Sequence, residues 1–574
     1  MKKIIIRKGK IWAVIAALFF WLGCEDFLDT QPYGTTSLRT LSQQTSGAEV
    51  LLIAAYSQLD GVSESQGNHW GPSGAASNWI FGSIAGGDAY KGSTVNDQAP
   101  ITSFEIHESL NANNVYLIPK WTMYFKGIAR ANDALEAFRS LNGISDSFRK
   151  MRMAEARFLR GFYHFELRKI FGKVPYLDEM LDDTRVGNQD NILPKIQDDF
   201  SYASAHLLKT MEQPGRATKG AAQAYLGITK MWEQDWSSAK IYFDSVITSG
   251  RYHLNPTYHD NFNAEVRNSP ESILEVQLSV NDGGQGSNGS SGDWLNYPFA
   301  PGYCCGFHQP SQNLVNAFKT DATGLPLLDS YNDPGTDVSS DEGMISADPS
   351  FTPYTGNLDP RLDWTVGRRG IPYLDWGKHP GRDWIRNQDY AGPYSPKKNV
   401  IYQSQQSEYA DNSSWITSFN ANNLKLLRYA DLLLYTSEAE VELGNLTNAL
   451  ELVNKVRARA AKPEGFVMDG TVPAATYRII EYPPFPNQVY AREAVRFERR
   501  LELGMEGHRF FDMVRWGIAA EEKTAYFEVE KTKRIYLAGA AFKKGVNEYL
   551  PIPQIAIDLS YKNGKKTLFQ NNGY

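Results

Sequence analysis

The chain has 574 residues, 59 of them lysine or arginine and 65 aspartate or glutamate, and its formal net charge is −6. A chain of this length buries a large core and is expected to form more than one lobe. The first 23 residues carry five basic and no acidic side chains, so a chain without them has a charge of −11. That negative charge argues against nucleic acid or an anionic membrane surface as the partner.

A short apolar segment lies at the N-terminus. Five basic residues precede the run Ile11–Leu22, which at 12 residues is too short to span a bilayer and has the size of a signal-peptide core. Gly23 and Cys24 follow, and a small residue before cysteine resembles the lipobox of bacterial lipoproteins. We therefore interpret residues 1–23 as a signal peptide and Cys24 as the acylated first residue of the mature chain. The alternative is an ordinary N-terminal anchor with a chance cysteine. The acidic stretch that follows resembles the surface-export signal of Bacteroidetes lipoproteins (Glu25, Asp26 and Asp29).

Apolar and small residues recur at helical spacing in seven segments along the chain. They predict helices through 121–135, 154–165, 221–232, 239–246, 432–442, 449–456 and 494–505. Short breaks at Gln234-Asp235 and Gly444-Asn445 would join two of these pairs as helical hairpins. The predicted fold class is mainly α, with a tetratricopeptide-like scaffold in which no strict repeat is preserved.

The character of the sequence changes between residues 254 and 423. Glycine, proline, asparagine, aspartate and serine dominate there, helical periodicity is lost, and Ile273–Leu278 is the best strand candidate. We expect a long irregular, loop-rich lobe with short strands, where binding function often resides. The predicted organisation is an N-terminal helical region at 24–253 and a C-terminal region at 254–574. Within the latter, the irregular lobe (254–423) precedes further helices and a charged motif (424–574).

No motif supports catalysis or a cofactor. The nine histidines are scattered, and the chain has no zinc-binding pattern, phosphate-binding loop or Gly-x-Ser-x-Gly element. After Cys24 only Cys304 and Cys305 remain, and we expect two free thiols because adjacent cysteines can form only a strained bridge. A surface glycosidase that uses loop carboxylates such as Asp88 and Asp293 stays an alternative, since such carboxylates have no fixed spacing.

A dense run of charge lies between residues 493 and 517, and we interpret it as structural. Its spacing predicts two ion pairs along the helix, namely Glu493 with Arg496 and Arg499 with Glu502. We expect Asp512 and Arg515 to tie the helix end to neighbouring elements. Trp516 is expected to be buried. Asp359-Pro360-Arg361 reads as a turn in which Arg361 is paired.

Six sequence motifs resemble those of a known protein family. They are AEARFLRGFY at 154–163, GRAT at 215–218, LRYADLLL at 427–434, the charged motif at 498–517, LPIP at 550–553 and QNNGY at 570–574. Together they resemble the SusD/RagB family of nutrient-binding lipoproteins of the Bacteroidetes outer membrane, in the correct order and over essentially the whole chain. Asn572 stands where the family usually has proline.

The resemblance implies a surface-exposed outer-membrane lipoprotein, held by lipid on Cys24, that binds an oligosaccharide. It implies that the protein acts as a lid on a SusC-like TonB-dependent transporter, and it implies no cofactor. Some members of the family bind peptides, so a peptide ligand stays an alternative. So does a pure assembly scaffold whose helical repeats bind only protein.

Three loop clusters, at 68–92, 293–305 and 373–384, place tryptophan or tyrosine beside asparagine, aspartate or arginine. The rings offer an apolar face to a sugar, and their polar neighbours can bind its hydroxyl groups. For any single ring, packing under a long loop is an equally simple explanation. The ligand-binding residues predicted from these clusters are Trp70, Trp79, Asp88, Trp294, Tyr303, Cys304, Arg382 and Trp384.

Overall fold

The computed structural model of the protein describes residues 41–61, 74–284, 286–411, 413 and 419–574. These ranges contain seventeen α-helices and one six-residue π-helix at Trp79–Ile84. The α-helices are α1 (Thr45–Tyr56), α2 (Thr102–Ile106), α3 (Leu117–Ser140), α4 (Asp146–Phe171), α5 (Leu193–His206), α6 (Lys219–Trp232), α7 (Trp236–Ile247), α8 (Gln312–Ala317), α9 (Leu362–Thr365), α10 (Gln388–Ala391), α11 (Gln406–Tyr409), α12 (Tyr429–Glu442), α13 (Leu446–Ala460), α14 (Gln488–Leu503), α15 (Arg509–Arg515), α16 (Ala519–Glu530) and α17 (Gln554–Leu559).

The long helices pack as neighbouring pairs. Helix α3 packs on α4, α4 on α5, α6 on α7, and α12 on α13. Glycines allow the close crossings: a Cβ on Gly127 would lie 2.5 Å from the ring of Tyr163, and Gly227 faces the ring of Phe243. Helix α12 also packs on α7 and α14, which joins the N-terminal and C-terminal helices. The predicted tetratricopeptide-like scaffold is confirmed.

Each predicted helix lies within an observed one, except at the end of α14. That helix stops at Leu503, and Met505 adopts a left-handed φ of 67° instead of continuing it. The spacing of apolar residues did not predict the other ten described helices, of which four have seven or more residues, namely α1, α5, α15 and α16. Helix α15 has only seven residues, and α16 has little amphipathic pattern because buried Lys523 and Glu530 interrupt its apolar face. None of the described helices combines the length and apolarity needed to cross a membrane.

Within the described ranges the strands are short and form two-stranded pairs. They are β1 (Ala89–Gly92), β2 (Ser272–Val276), β3 (Phe307–Pro310), β4 (Val366–Gly367), β5 (Ser395–Pro396), β6 (Leu424–Arg428), β7 (Met468–Asp469), β8 (Val472–Pro473), β9 (Tyr561–Lys562) and β10 (Lys565–Lys566). The antiparallel pairs are β1–β3, β2–β6, β4–β5, β7–β8 and β9–β10. The strand predicted at 273–278 is confirmed as β2. Its partner β6 runs directly into α12, so this pair attaches the irregular lobe to the helical scaffold.

A buried network of ion pairs lies where the lobe meets the scaffold. Glu502 on α14 accepts hydrogen bonds from Arg361, Arg428 and Arg459, all of them buried. Arg428 and Arg459 also bind Glu271, each at 3.2 Å. Because the three arginines come from distant parts of the chain, Glu502 ties the lobe, β6 and α13 to one point.

The structural interpretation of the charged motif is confirmed in part. Asp512 binds Arg499 on α14 and Arg515 binds Glu438 on α12, so both tie the helix end to neighbouring helices as expected. Arg361 pairs with Asp359 at 2.7 Å, also as expected. The pairing of Arg499 with Glu502 is wrong, because Arg499 binds Asp431 and Asp512 instead. Buried partners on neighbouring helices compete better than a residue on the same helix, since they also satisfy more of the guanidinium.

The predicted ion pair between Glu493 and Arg496 is also wrong. Among the described residues Arg496 has no ion pair with Glu493, and its guanidinium lies 4.8 Å from the centre of the Trp516 ring. Trp516 itself is half-buried rather than buried, and its indole N–H donates to Glu438 at 2.9 Å. The motif therefore joins α12, α14 and α15 through polar contacts more than through a buried indole.

Candidate functional site

Two of the predicted ligand contacts are packed inside the fold. Trp79 is only 1% exposed, because the π-helix places its indole against the rings of Phe307 and His308. Asp88 is buried and forms an ion pair with Arg500 at 3.0 Å. The prediction that these side chains face a ligand is wrong for both. Asp293 lines a cavity that Asp88 does not line.

The remaining predictions fall in different places. Trp294 is buried, whereas Arg382 and Trp384 are partly exposed. Trp384 meets the rings of Tyr373 and His379 edge-on, with centroids 5.7 and 5.1 Å away. Trp70 and Cys24 lie outside the described residues. Trp294, Arg382 and Trp384 stay predicted contacts.

The second and third clusters meet around Ile401. The backbone N–H of Ile401 donates to the Tyr303 hydroxyl at 3.2 Å, and its carbonyl accepts from the Trp376 indole N–H at 3.0 Å. Tyr303 and Trp376 are both half-buried, and the ring of Tyr297 lies 5.7 Å from that of Tyr303. We call Tyr297, Tyr303, Trp376 and the adjacent Cys304–Cys305 pair the aromatic surface.

Cys304 and Cys305 are joined by a disulfide, so the prediction of two free thiols is wrong. Cys305 has a φ of 78°, and this left-handed turn brings the two side chains together. The disulfide is half-buried beside Tyr303 and packs on the hydrophobic core. It gives the loop after Tyr303 a compact apolar face next to the ring.

A close contact between Gly302 and the Trp376 ring fixes the other side of the aromatic surface. Gly302 has a φ of 72°, and a Cβ there would lie 2.8 Å from the Trp376 ring. The loop that carries Trp376 is held from below by Asp375, whose carboxylate accepts the backbone N–H groups of Gln403 and Ser404. Both loops are therefore anchored, and the two rings keep a defined separation.

A polar cavity adjoins the aromatic surface through Tyr297. Side chains of six asparagines line it, with apolar groups between them. The asparagines are Asn261, Asn296, Asn399, Asn420, Asn422 and Asn423. An asparagine offers two donors and an acceptor on one flat group, which suits a polyhydroxylated ligand. Among the described residues, the buried Oδ1 atom of Asn422 has no hydrogen-bond partner.

Burial shifts the pKa values of charged groups that line the cavity. Burial raises the pKa of Asp60 to about 7 and also raises the pKa of Asp293, which accepts a hydrogen bond from Ser77. Burial lowers the pKa of Lys398 to about 8, although Glu506 pairs with it at 2.7 Å. Lys425 pairs with Glu275 at 2.7 Å. The cationic groups are thus occupied by internal partners. The asparagine amides also bind neighbouring groups, as Asn423 does with Leu278 and Glu275, so a ligand would compete with these bonds or use the Oδ1 atom of Asn422.

The predicted clusters place rings beside asparagine, aspartate or arginine, and Asn296 is the one cavity asparagine that they contain. The one available signal was the asparagine-rich stretch 420–423, which reads Asn-Ala-Asn-Asn next to β6. Asn399 and Asn296 come from distant loops and meet only in the fold, where the Asn399 amide donates to the carbonyl of Asn296. Trp376 was within a predicted cluster, but its contact with Ile401 was not foreseeable.

Comparison with known families gives a consistent result over most of the chain. A model described as the SusD family matches residues 270–574, and one described as "Starch-binding associating with outer membrane" matches residues 26–229. A SusD-like protein of Formosa agariphila is 26% identical over 87% of this chain and 88% of its own length. The starch-binding protein SusD of Bacteroides thetaiotaomicron is 23% identical over 75% of this chain and 74% of its own length.

Solved structures share the architecture. A structure titled "Laminarin binding SusD-like protein" superposes with a TM-score of 0.65, at 23% identity, over 93% of this chain and all of that one. Surface glycan-binding protein A of Bacteroides thetaiotaomicron, solved with laminarihexaose, superposes with a TM-score of 0.60 at 21% identity, covering 92% of this chain and 99% of that one. At these identities the likeness establishes the fold.

Proposed function

This chain belongs to the SusD family, and we propose that it binds an oligosaccharide at the cell surface and delivers it to a TonB-dependent outer-membrane transporter. The aromatic surface beside the asparagine-lined cavity is the observation that carries this proposal. The names of related proteins support it: one is a starch-binding protein, one a laminarin-binding protein, and one was solved with laminarihexaose.

The chemistry of the two parts is complementary. Tyr303 and Trp376 can stack against the C–H faces of sugar rings, and their polar edges are already bound to Ile401, so their orientation is fixed before a ligand arrives. In the cavity, the buried Oδ1 atom of Asn422 can accept a hydrogen bond from a sugar hydroxyl, and the other amides can exchange an internal hydrogen bond for one to the ligand. Since neither contact depends on net charge, the arrangement suits a neutral oligosaccharide better than an ionic ligand.

We expect Trp376→Ala to weaken binding of laminarihexaose by about 2 kcal/mol, the size of an aromatic hot spot. Calorimetry on the purified protein measures this, after circular dichroism has confirmed the fold. Trp236→Ala is the matched control, because Trp236 is also half-buried but lies at the start of α7 in the helical scaffold. Wild-type affinity should change little between low and moderate salt, since stacking is not screened by ions.

The contrary outcomes point to other functions. Unchanged affinity in Trp376→Ala, with loss of binding on a charge change at Arg382, would mean an ionic site and favour a peptide or charged glycan. Release of reducing ends from incubated glycans would instead support the glycosidase alternative. If no glycan binds and only protein partners are captured, the assembly scaffold becomes the better explanation.

The lipid anchor is a separate part of the proposal. We expect Cys24→Ala to abolish incorporation of an alkyne fatty acid in growing cells, because Cys24 is the proposed acylation site and no described helix can replace the anchor. The variant should then remain unprocessed or appear in the soluble fraction. Equal labelling of the wild type and the variant would contradict the assignment of Cys24.

A further inference from the structure

Large apolar side chains are exposed together near the C-terminus. Ile555 and Leu559, which are 51% and 74% exposed, lie four residues apart on α17 and therefore project from the same side of that helix. Tyr561 begins the β9–β10 hairpin and Phe569 follows it, and these rings are 51% and 43% exposed. Contiguous exposure of this kind marks an interaction surface more often than a chance arrangement.

Three lysines share this surface. Lys566 is the cross-strand partner of Tyr561, and its ammonium lies 5.3 Å from the centre of the Phe569 ring. Lys562 and Lys565 face each other across the same hairpin. We call the four apolar side chains and these three lysines the C-terminal patch. The segment 554–569 contains only one acidic residue, Asp558, so its local charge is positive on a chain that is negative overall.

The patch is held firmly on the fold. The buried side chain of Asn188 donates to the carbonyl of Phe569 at 2.9 Å and accepts from its N–H at 3.0 Å. Arg185 donates to the carbonyl of Tyr561, and Lys562 pairs with Asp183 at 3.3 Å. These contacts fix the hairpin against the loop before α5. The exposed rings are therefore part of a defined surface and not of a fraying terminus.

Aliphatic and aromatic side chains interleaved with lysines are the composition of a protein face that rests on an anionic lipid surface. The charge of −11 for the chain without its leader argues against such contact at long range. At physiological salt, however, charges act over only about 8 Å, so the local lysines decide the contact.

We propose that the C-terminal patch is a membrane-contact surface that binds anionic lipid headgroups and inserts Leu559 and Phe569 at the interface. From the proposed function it takes only the location at a membrane. Lipid on Cys24 would hold the chain at its N-terminal end alone, so a second contact on the folded part would orient the protein at the membrane.

The test uses the chain from residue 24 onward with Cys24→Ser, which retains every described residue and carries no lipid. We expect it to sediment with vesicles of phosphatidylcholine and phosphatidylglycerol in equal parts, and much less with pure phosphatidylcholine. Leu559→Ser with Phe569→Ser should lower the partition coefficient by about tenfold or more, and glutamate at Lys562, Lys565 and Lys566 should do the same, since each lysine near the surface contributes to the attraction.

Matched controls lie elsewhere on the surface. Ile535, which is 88% exposed, is changed to serine, and glutamate replaces the exposed Lys209, Lys455 and Lys462. These variants should sediment as the unsubstituted protein does. Equal sedimentation of patch and control variants, or no sedimentation at all, overturns the proposal and leaves the patch as a candidate protein interface. The same patch variants should bind laminarihexaose as the unsubstituted protein does. This measurement separates a failure of the membrane-contact proposal from a failure of the proposed glycan binding.

Discussion

Glu502→Gln should lower the free energy of unfolding by about 3–5 kcal/mol, because it leaves buried arginines without their shared counter-charge. Glu502 is fully buried and contacts Arg361, Arg428 and Arg459. Glutamine keeps the shape of the side chain but replaces a carboxylate oxygen by a donor that faces guanidinium donors. Chemical denaturation followed by circular dichroism measures the loss.

The pH dependence of the same residue gives an independent check. Burial alone would raise the pKa of Glu502, but the neighbouring arginines outweigh it and hold this pKa far below its usual 4.5. Arg428 and Lys398 likewise lower the pKa of Glu506 to about 2 against the effect of burial. A depressed carboxyl pKa stabilises the fold above about pH 4.5, and that stability is lost as the pH falls through the folded-state pKa. The difference between the wild type and Glu502→Gln should therefore shrink between pH 5 and pH 2.

Glu493→Gln on the same helix is the control, since Glu493 is exposed and has no ion pair among the described residues. It should change the unfolding free energy by less than about 0.5 kcal/mol. A similar small loss in Glu502→Gln would mean that the arginines find enough alternative partners in Glu271, Glu498 and Asp359, and that the network tolerates a missing member.

The sequence allowed the helical scaffold to be predicted because local periodicity determines an amphipathic helix. Each predicted segment, such as 121–135 within α3, carries its own apolar stripe. The partners of Arg499 could not be predicted in the same way. Its contacts with Asp431 and Asp512 depend on how α12 and α15 pack on α14, and that packing is not encoded at any fixed spacing.

The candidate site illustrates the same limit. An aromatic residue in a polar loop has the same sequence context whether its ring faces solvent or packs inward. Trp79 packs inward because a π-helix places its ring beneath β3. The pairing of Tyr303 with Trp376 depends on the backbone of Ile401, which no composition signal reveals. What the sequence did identify was the stretch of chain from which the aromatic surface is built.

Lys523→Met should raise the free energy of unfolding by about 2–4 kcal/mol at neutral pH, because it removes a buried charge that lacks a partner. Lys523 on α16 is completely buried, and among the described residues its ammonium has no hydrogen-bond or ion-pair partner. The rings of Tyr526 and Phe527 lie 4.4 and 4.7 Å from it and offset only part of the cost. Burial lowers its pKa from 10.5 to about 7.

The sign of the pH effect follows from that shift. Between pH 7 and 10.5 the unfolded chain binds a proton at Lys523 that the folded chain has released, so wild-type stability rises with pH there. The advantage of Lys523→Met should be greatest below pH 7 and disappear near pH 10.5. Thermal and chemical unfolding at several pH values measure this course.

Lys397→Met is the matched control, because burial lowers the pKa of Lys397 to about 7 as well. Its ammonium, however, donates to the carbonyls of Asp363 and Pro372 at 2.6 and 2.8 Å. Removing it strands two acceptors, so we expect no gain and a loss of about 1–3 kcal/mol. A gain in stability in both variants would mean that burial alone determines the free-energy cost of each lysine. A loss in both would mean that Lys523 acts as the counter-charge of Glu105 and Asp88, whose attraction opposes the downward shift of its pKa.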